Sequence, residues 1–225
     1  MTDANVRVLR EALVAAARRL DTLGLNRGTA GNVSVRCALP GRDSYLITPS
    51  GMPPADIHAS DIVAMPIGGD APLEPSTRRP SSEWRFHRDV YRARPDAGAI
   101  VHTHSPFATT LACLGRGIPP FHYMVAKAGG RDIRCAAYAT FGSQALSDAA
   151  VAAIEGRRAC LLARHGMITL GRDLADALAL AVEVEGLAEV YWRALAVGEP
   201  GCLPDDEMDR VAAQFRAYGQ PRPGG

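Results

Sequence analysis

Gly98-Ala99-Ile100-Val101-His102-Thr103-His104-Ser105-Pro106 opens as a short apolar run and closes on two histidines one residue apart. A run of this kind predicts a buried strand, and the Ser-Pro that follows predicts a helix with Pro106 near its first position. Side chains two apart on a strand point the same way, so His102 and His104 can close on one ion. Upstream, Ser81-Ser82-Glu83-Trp84-Arg85-Phe86-His87 reads as a helix start, with Ser81 or Ser82 as N-cap and the helix running through Tyr91. Downstream, the strands Ala159 to Ala163 and Met167 to Leu170 flank Arg164-His165-Gly166, a third imidazole at a strand–turn junction. Three histidines and a free carboxylate leave an open coordination position, the pattern of a catalytic rather than a structural metal site. His87 is a rival third ligand, because it stands four residues after Glu83 on the same helix. Glu83 at a helix start also suits the helix dipole without any metal. His58 and His122 read as structural or surface groups.

The rest of the chain mixes helices and strands without regular alternation. Val6 to Leu23 carries apolar residues at helical spacing and stops near Gly24. A glycine turn then leads into a strand through Arg36. Tyr45 to Gly51 and Asp61 to Pro66 read as strands, and the Gly- and Pro-rich stretch Gly68 to Pro80 as a loop. Helices are expected over Ser143 to Ile154, from an Asp173 cap to about Ala196, and over Asp205 to Tyr218. The pattern predicts an α/β fold of mixed type, a single domain over residues 1–218 with a tail at 219–225.

With 225 residues the chain can bury a substantial core, and 47% hydrophobic with 22% charged residues suits a soluble globular domain. A formal net charge of +1 without a basic block argues against nucleic acid or a membrane surface as partner. Five cysteines without a C-x-x-C pair suit a reducing cytoplasm. Met1-Thr2-Asp3-Ala4-Asn5 lacks a basic-then-apolar signal.

Three short segments can supply anion donors: Gly28-Thr29-Ala30-Gly31-Asn32, Ser50-Gly51 and Ser81-Ser82. Glycines let backbone N–H groups approach an anion, and hydroxyls at a helix start add donors. Each segment alone reads equally well as a turn or a cap. Their meaning depends on convergence beside the metal.

These segments, with Pro119-Pro120-Phe121-His122-Tyr123-Met124, Tyr138-Ala139-Thr140-Phe141-Gly142 and Phe215-Arg216-Ala217-Tyr218-Gly219, resemble the class II aldolase/adducin-type family over nearly the whole chain. The resemblance is strongest to its fuculose-phosphate branch. It implies a central, mainly antiparallel β-sheet flanked by helices, in a homotetramer with sites at subunit interfaces. It implies Zn2+, or Mn2+ or Co2+, on His102, His104 and His165, with Glu83 as acid/base and a possible further ligand in the free enzyme. Gly31, Asn32, Ser50, Gly51, Ser81 and Ser82 would bind substrate phosphate. Tyr123 would reach a neighbouring subunit's site, and Tyr218 would close over substrate.

The implied reaction is reversible retro-aldol cleavage of a ketose 1-phosphate, in the first place L-fuculose 1-phosphate, to dihydroxyacetone phosphate and an aldehyde such as L-lactaldehyde. A 5-deoxyribulose or 5-methylthioribulose 1-phosphate aldolase of nucleoside salvage shares the same chemical residues. A pentulose-phosphate 4-epimerase, a sugar-phosphate dehydratase and a non-catalytic adducin-like interaction module are the further readings. Arg27, Ala30 and Ser50 stand where the fuculose-phosphate branch tends to have Gln, Ser and Thr, and Arg27 adds a charge close in sequence to the phosphate loop.

Overall fold

The computed structural model describes residues 3–39 and 41–217; Tyr218 and the tail at 219–225 lie outside the described residues. Seven strands form one sheet in the order β3-β2-β1-β4-β7-β6-β5. They are β1 (Asn32–Leu39), β2 (Arg42–Ile47), β3 (Val63–Pro66), β4 (Ala99–Thr103), β5 (Arg134–Ala136), β6 (Ala159–Leu162) and β7 (Gly166–Gly171). Every neighbouring pair is antiparallel except β5 with β6. The mainly antiparallel sheet flanked by helices agrees with the expected fold class.

Two faces of this sheet are covered, and the side-chain alternation of the strands divides the core accordingly. Val33, Val35, Ala99, Val101 and Met167 pack with α1 (Asp3–Thr22), α3 (Pro106–Cys113), α5 (Leu174–Leu195) and α6 (Asp205–Ala217). Tyr45, Ile47, Ile100, Ile168 and Leu170 pack with α2 (Trp84–Ala93) and α4 (Gln144–Ile154). Burial on both faces is why β4 reads as a continuous apolar run rather than an alternating one. The polar residues Asn32, Ser34 and His102 lie in phase with the second set, so the sheet delivers them toward α2.

Most expected elements are present with boundaries moved by a few residues. Strand β5 was not anticipated: three residues long and at the sheet edge, it carries too little periodicity to stand out. One expectation needs correction. Neither Ser81 nor Ser82 occupies the N-cap position of α2, which falls to Glu83, whose side chain makes no capping bond; Ser81 Oγ accepts from Glu83 N–H just before it at 3.3 Å. The carboxylate is drawn away from the helix end by the histidines described below. Ser143 and Asp173 do cap α4 and α5, accepting from the N–H groups of Leu146 and Asp176. No helix among the described residues is long and apolar enough to cross a membrane.

Candidate metal centre

Strand β4 holds the site because its neighbours bring the other parts to its C-terminal end. Asn32 of β1 stands opposite His102 in the ladder, and Met167 of β7 stands opposite Thr103. His104 lies one residue past the strand. Its N–H donates to Asn26 Oδ1 at 3.2 Å. The start of α3, just beyond, is held by Glu185 of α5, whose carboxylate accepts from Ser105 Oγ and from the N–H groups of Phe107 and Ala108 at 2.7–2.9 Å. Glu185 thus does the capping that Ser105 does not.

His165 arrives on the turn between β6 and β7. Arg164 there has φ 58°, a left-handed conformation uncommon for a non-glycine residue. Its N–H donates to Ala112 O at 2.9 Å, which ties the turn to α3. Gly166 lets this turn press against β4: a Cβ there would stand 2.3 Å from Thr103 O and 3.0 Å from His104 Cδ2.

Glu83, His102, His104 and His165 offer ligand atoms that all lie within 4.8 Å of one another. The three rings stand 4.8–4.9 Å apart by centroid and nearly perpendicular in pairs. His102 Nε2 is 3.0 Å from His104 Nε2 and 3.1 Å from Glu83 Oε2; His165 Nε2 is 2.9 Å from Glu83 Oε1. His87, the rival ligand, is not in this cluster.

The cluster fits a cation on its own chemistry. His102 Nδ1 faces Met167 O at 2.9 Å, so that nitrogen carries the hydrogen and Nε2 is left free to coordinate a cation. Burial, then the charges of His102 and His165, push His104 down to about 4, which leaves its imidazole neutral near pH 7. Glu83 Oε1 is buried without a hydrogen bond, although His165 Nε2 is close. Burial by itself would raise the Glu83 pKa. The nearby imidazoles of His102 and then His165 outweigh it and hold the carboxyl far below the usual range. A metal ion would satisfy the converging lone pairs and the orphaned oxygen together.

Beside the cluster lies a cavity of about 320 Å³ lined by Gly31, Asn32, Ser50, Gly51, Ser81, Ser82, Glu83, His104 and His165. The three anion-donor segments therefore do converge. An isolated bridge between Pro49 and Pro80 brings two of them together, with Ser50 N–H donating to Arg79 O and Ser81 N–H to Thr48 O. Gly31 has φ 75°, and a Cβ there would meet the Asn26 side chain at 2.3 Å, so only glycine fits this turn.

Tyr123 does not line this cavity. It is 49% exposed and stacks near Phe215, with ring centroids 6.2 Å apart. Arg27 is exposed and lines a different hollow with His104, Thr109 and Trp192, whereas Ala30 lines the cavity beside the cluster. Tyr138, Phe141 and Arg164 also line that cavity and were not singled out as site residues. Tyr138 and Phe141 are 60% and 68% exposed there.

Against known proteins, the profile of the family described as Class II Aldolase and Adducin N-terminal domain matches residues 11–192. A 5-methylthioribulose-1-phosphate/5-deoxyribulose-1-phosphate aldolase of Rhodospirillum rubrum is 60% identical over 94% of this chain and 92% of its own length. An L-fuculose phosphate aldolase of Escherichia coli is 45% identical over 94% of this chain and 95% of its own. Among solved structures, an L-fuculose 1-phosphate aldolase superposes with a TM-score of 0.88 at 42% identity, covering 96% of this chain and 98% of that one.

Proposed function

The chain belongs to the class II aldolase and adducin family, and we propose that it is a metal-dependent aldolase acting on 5-methylthioribulose 1-phosphate or 5-deoxyribulose 1-phosphate. The observation that carries the aldolase reading is the convergence of Glu83 and three histidine nitrogens beside a cavity lined also by Gly31, Gly51, Ser50, Ser81 and Ser82. The choice of substrate rests on the 60% identity to the Rhodospirillum rubrum enzyme, against 45% for the Escherichia coli L-fuculose phosphate aldolase. The L-fuculose 1-phosphate reading, favoured by the motifs alone, becomes the second one.

His102, His104 and His165 would hold a divalent transition metal, with Glu83 a further ligand before substrate enters; the nitrogen-rich donor set suits Zn2+. When bound, the ion supplies Lewis-acid stabilisation of negative charge on substrate oxygens. The substrate phosphate sits among Gly31, Asn32, Ser50, Gly51, Ser81 and Ser82, where α2 begins and its dipole favours an anion. Tyr123 of a neighbouring subunit would help deprotonate the C4 hydroxyl, relaying its proton toward solvent. The C3–C4 bond then breaks, its electron pair stays with C3, and C4 leaves as the aldehyde. Glu83, having taken up from solvent a proton equal to the one lost at C4, would deliver it to C3, completing dihydroxyacetone phosphate; in the synthetic direction it removes that proton. With C5 as a methyl the aldehyde is acetaldehyde, and with a methylthio group on C5 it is methylthioacetaldehyde. The exposure of Tyr123 and its absence from its own chain's cavity support service to a neighbouring subunit in a homotetramer. Tyr218 would close over the substrate.

Release of dihydroxyacetone phosphate from the three ketose 1-phosphates, measured side by side, tests the reading. The 5-deoxy and 5-methylthio substrates are expected to give the higher kcat/KM. A higher value for L-fuculose 1-phosphate would restore the second reading.

A further inference from the structure

Behind Glu83 runs a line of buried polar groups, of which the mechanism above uses only Asn32. Asn32 Nδ2 donates to Glu83 Oε2 at 2.9 Å. Asn32 Oδ1 lies 2.5 Å from His87 Nε2, His87 Nδ1 lies 2.7 Å from Ser34 Oγ, and Ser34 Oγ lies 2.8 Å from the Tyr91 hydroxyl. Ser34 and His87 are fully buried, and Tyr91 and Asn32 nearly so. The placement follows from the fold. Asn32 and Ser34 are two apart on β1 and share the face toward α2, while His87 and Tyr91 are four apart on α2.

The direction of every hydrogen bond in this line is set from its two ends. An ionised carboxylate only accepts, so the Asn32 amide must turn its NH2 to Glu83 and its carbonyl to His87. His87 then carries its hydrogen on Nε2 and leaves Nδ1 bare to accept from Ser34. Ser34 in turn accepts from Tyr91, whose hydroxyl has no other hydrogen-bond partner among the described residues. The reverse direction would set the Asn32 carbonyl against Glu83 and leave the Tyr91 hydrogen without an acceptor. The line ends inside the core at Tyr91. It has no outlet for a proton and therefore orients groups rather than conducting.

We propose that His87 is a positioning residue of the reaction, locking the Asn32 amide with its NH2 toward Glu83 and thereby fixing the carboxylate that moves the C3 proton. This rests on Glu83 as the acid/base. Asn32 is the hinge of the arrangement, because its NH2 has a second hydrogen to offer toward the cavity it lines. Without a donor at position 87 the amide is free to turn, and its carbonyl would then oppose the carboxylate.

Two measurements test this. In metal-loaded protein carrying 15N-histidine, the long-range 1H–15N spectrum should show His87 as the neutral Nε2–H tautomer, with its signals identified by their loss in His87→Gln. A neutral Nδ1–H tautomer or an imidazolium at neutral pH would overturn the proposal. The second is exchange of the C3 proton of dihydroxyacetone phosphate into heavy water. His87→Phe should lower kcat for exchange about tenfold or more, with metal content unchanged and a smaller change in KM. His87→Gln, whose amide can still donate to Asn32, should stay within about threefold of the wild type on the same scale. Equal rates for His87→Phe and wild type, or equal losses in both variants, would overturn it. Should His87→Phe not fold, Ser34→Ala decides: it removes the donor to Nδ1, and a loss supports the proposal while an unchanged rate overturns it. A wild type without exchange would refute the aldolase reading instead, and the tautomer spectrum alone would then decide the role of His87.

Discussion

Two buried polar clusters meet at Glu83 and differ in one respect. Around His87 each nitrogen has a complementary partner, and Asn32, Ser34 and Tyr91 complete a line in which donors and acceptors match. Around His102, His104 and His165, coordinating nitrogens face each other and a carboxylate, and Glu83 Oε1 has no hydrogen bond. Burial of polar groups is tolerated when they are paired. The first cluster meets that condition alone, and the second would meet it with a cation. Four histidines lie within one small volume, and the pairing of their nitrogens, not their burial, distinguishes ligand from scaffold.

The largest break in this contrast should come from Glu83→Ala. Cleavage turnover should fall about a thousandfold or more, the scale of losing a positioned acid/base, while the three histidines retain the metal. A rate near wild type would refute the assigned role. Next, His104→Ala should reduce metal content from about one ion per chain toward none, since it removes one of the three nitrogen donors that set the affinity. Chelation should then lower the melting temperature of the wild type and leave that of the variant unchanged; at a thousandfold excess of ion over Kd the lost stabilisation is about 4 kcal/mol. Equal metal content in both would contradict the ligand set.

The satisfied cluster can be tested by pH. Burial, then the charge of His102, push His87 down to about 3, whereas in the unfolded chain it titrates near the ordinary histidine value of about 6.5. Between these values the unfolded state binds the proton and the folded state does not, so this histidine costs stability as pH falls. In metal-free protein, wild type should lose on the order of 2 kcal/mol relative to His87→Gln between pH 7 and pH 5. A difference independent of pH would contradict the buried neutral imidazole. The smallest effect belongs to Glu185→Ala, which removes the cap of α3 and should cost about 1–2 kcal/mol in chemical denaturation while metal binding persists. No loss would mean that solvent replaces the cap.

Much of this was legible in the sequence because it lies on regular elements. The run ending in His102 and His104 reads as a strand because both its faces are buried, and the helix cap at Asp173 is a local signal. The choice between His165 and His87 was not legible from spacing. It depends on β7 pairing with β4, a contact across more than sixty residues of chain. The partners of His87 were hidden for the same reason, since Ser34 reaches it only through the packing of α2 on the sheet. The helix start at Ser81-Ser82-Glu83 misled locally: serines favour capping, but the histidines hold the carboxylate and the serines line the cavity. Arg27 shows the converse, a residue near the glycine turn in sequence that lines a different hollow.

The most direct test of the central claim is proton exchange at C3 of dihydroxyacetone phosphate in heavy water, followed by NMR with metal-loaded protein and no aldehyde. It reads the half-reaction that is independent of the aldehyde. The account predicts stereospecific exchange that stops on chelation and in Glu83→Ala. Absence of exchange in the metal-loaded wild type, or exchange that continues without Glu83, would contradict it.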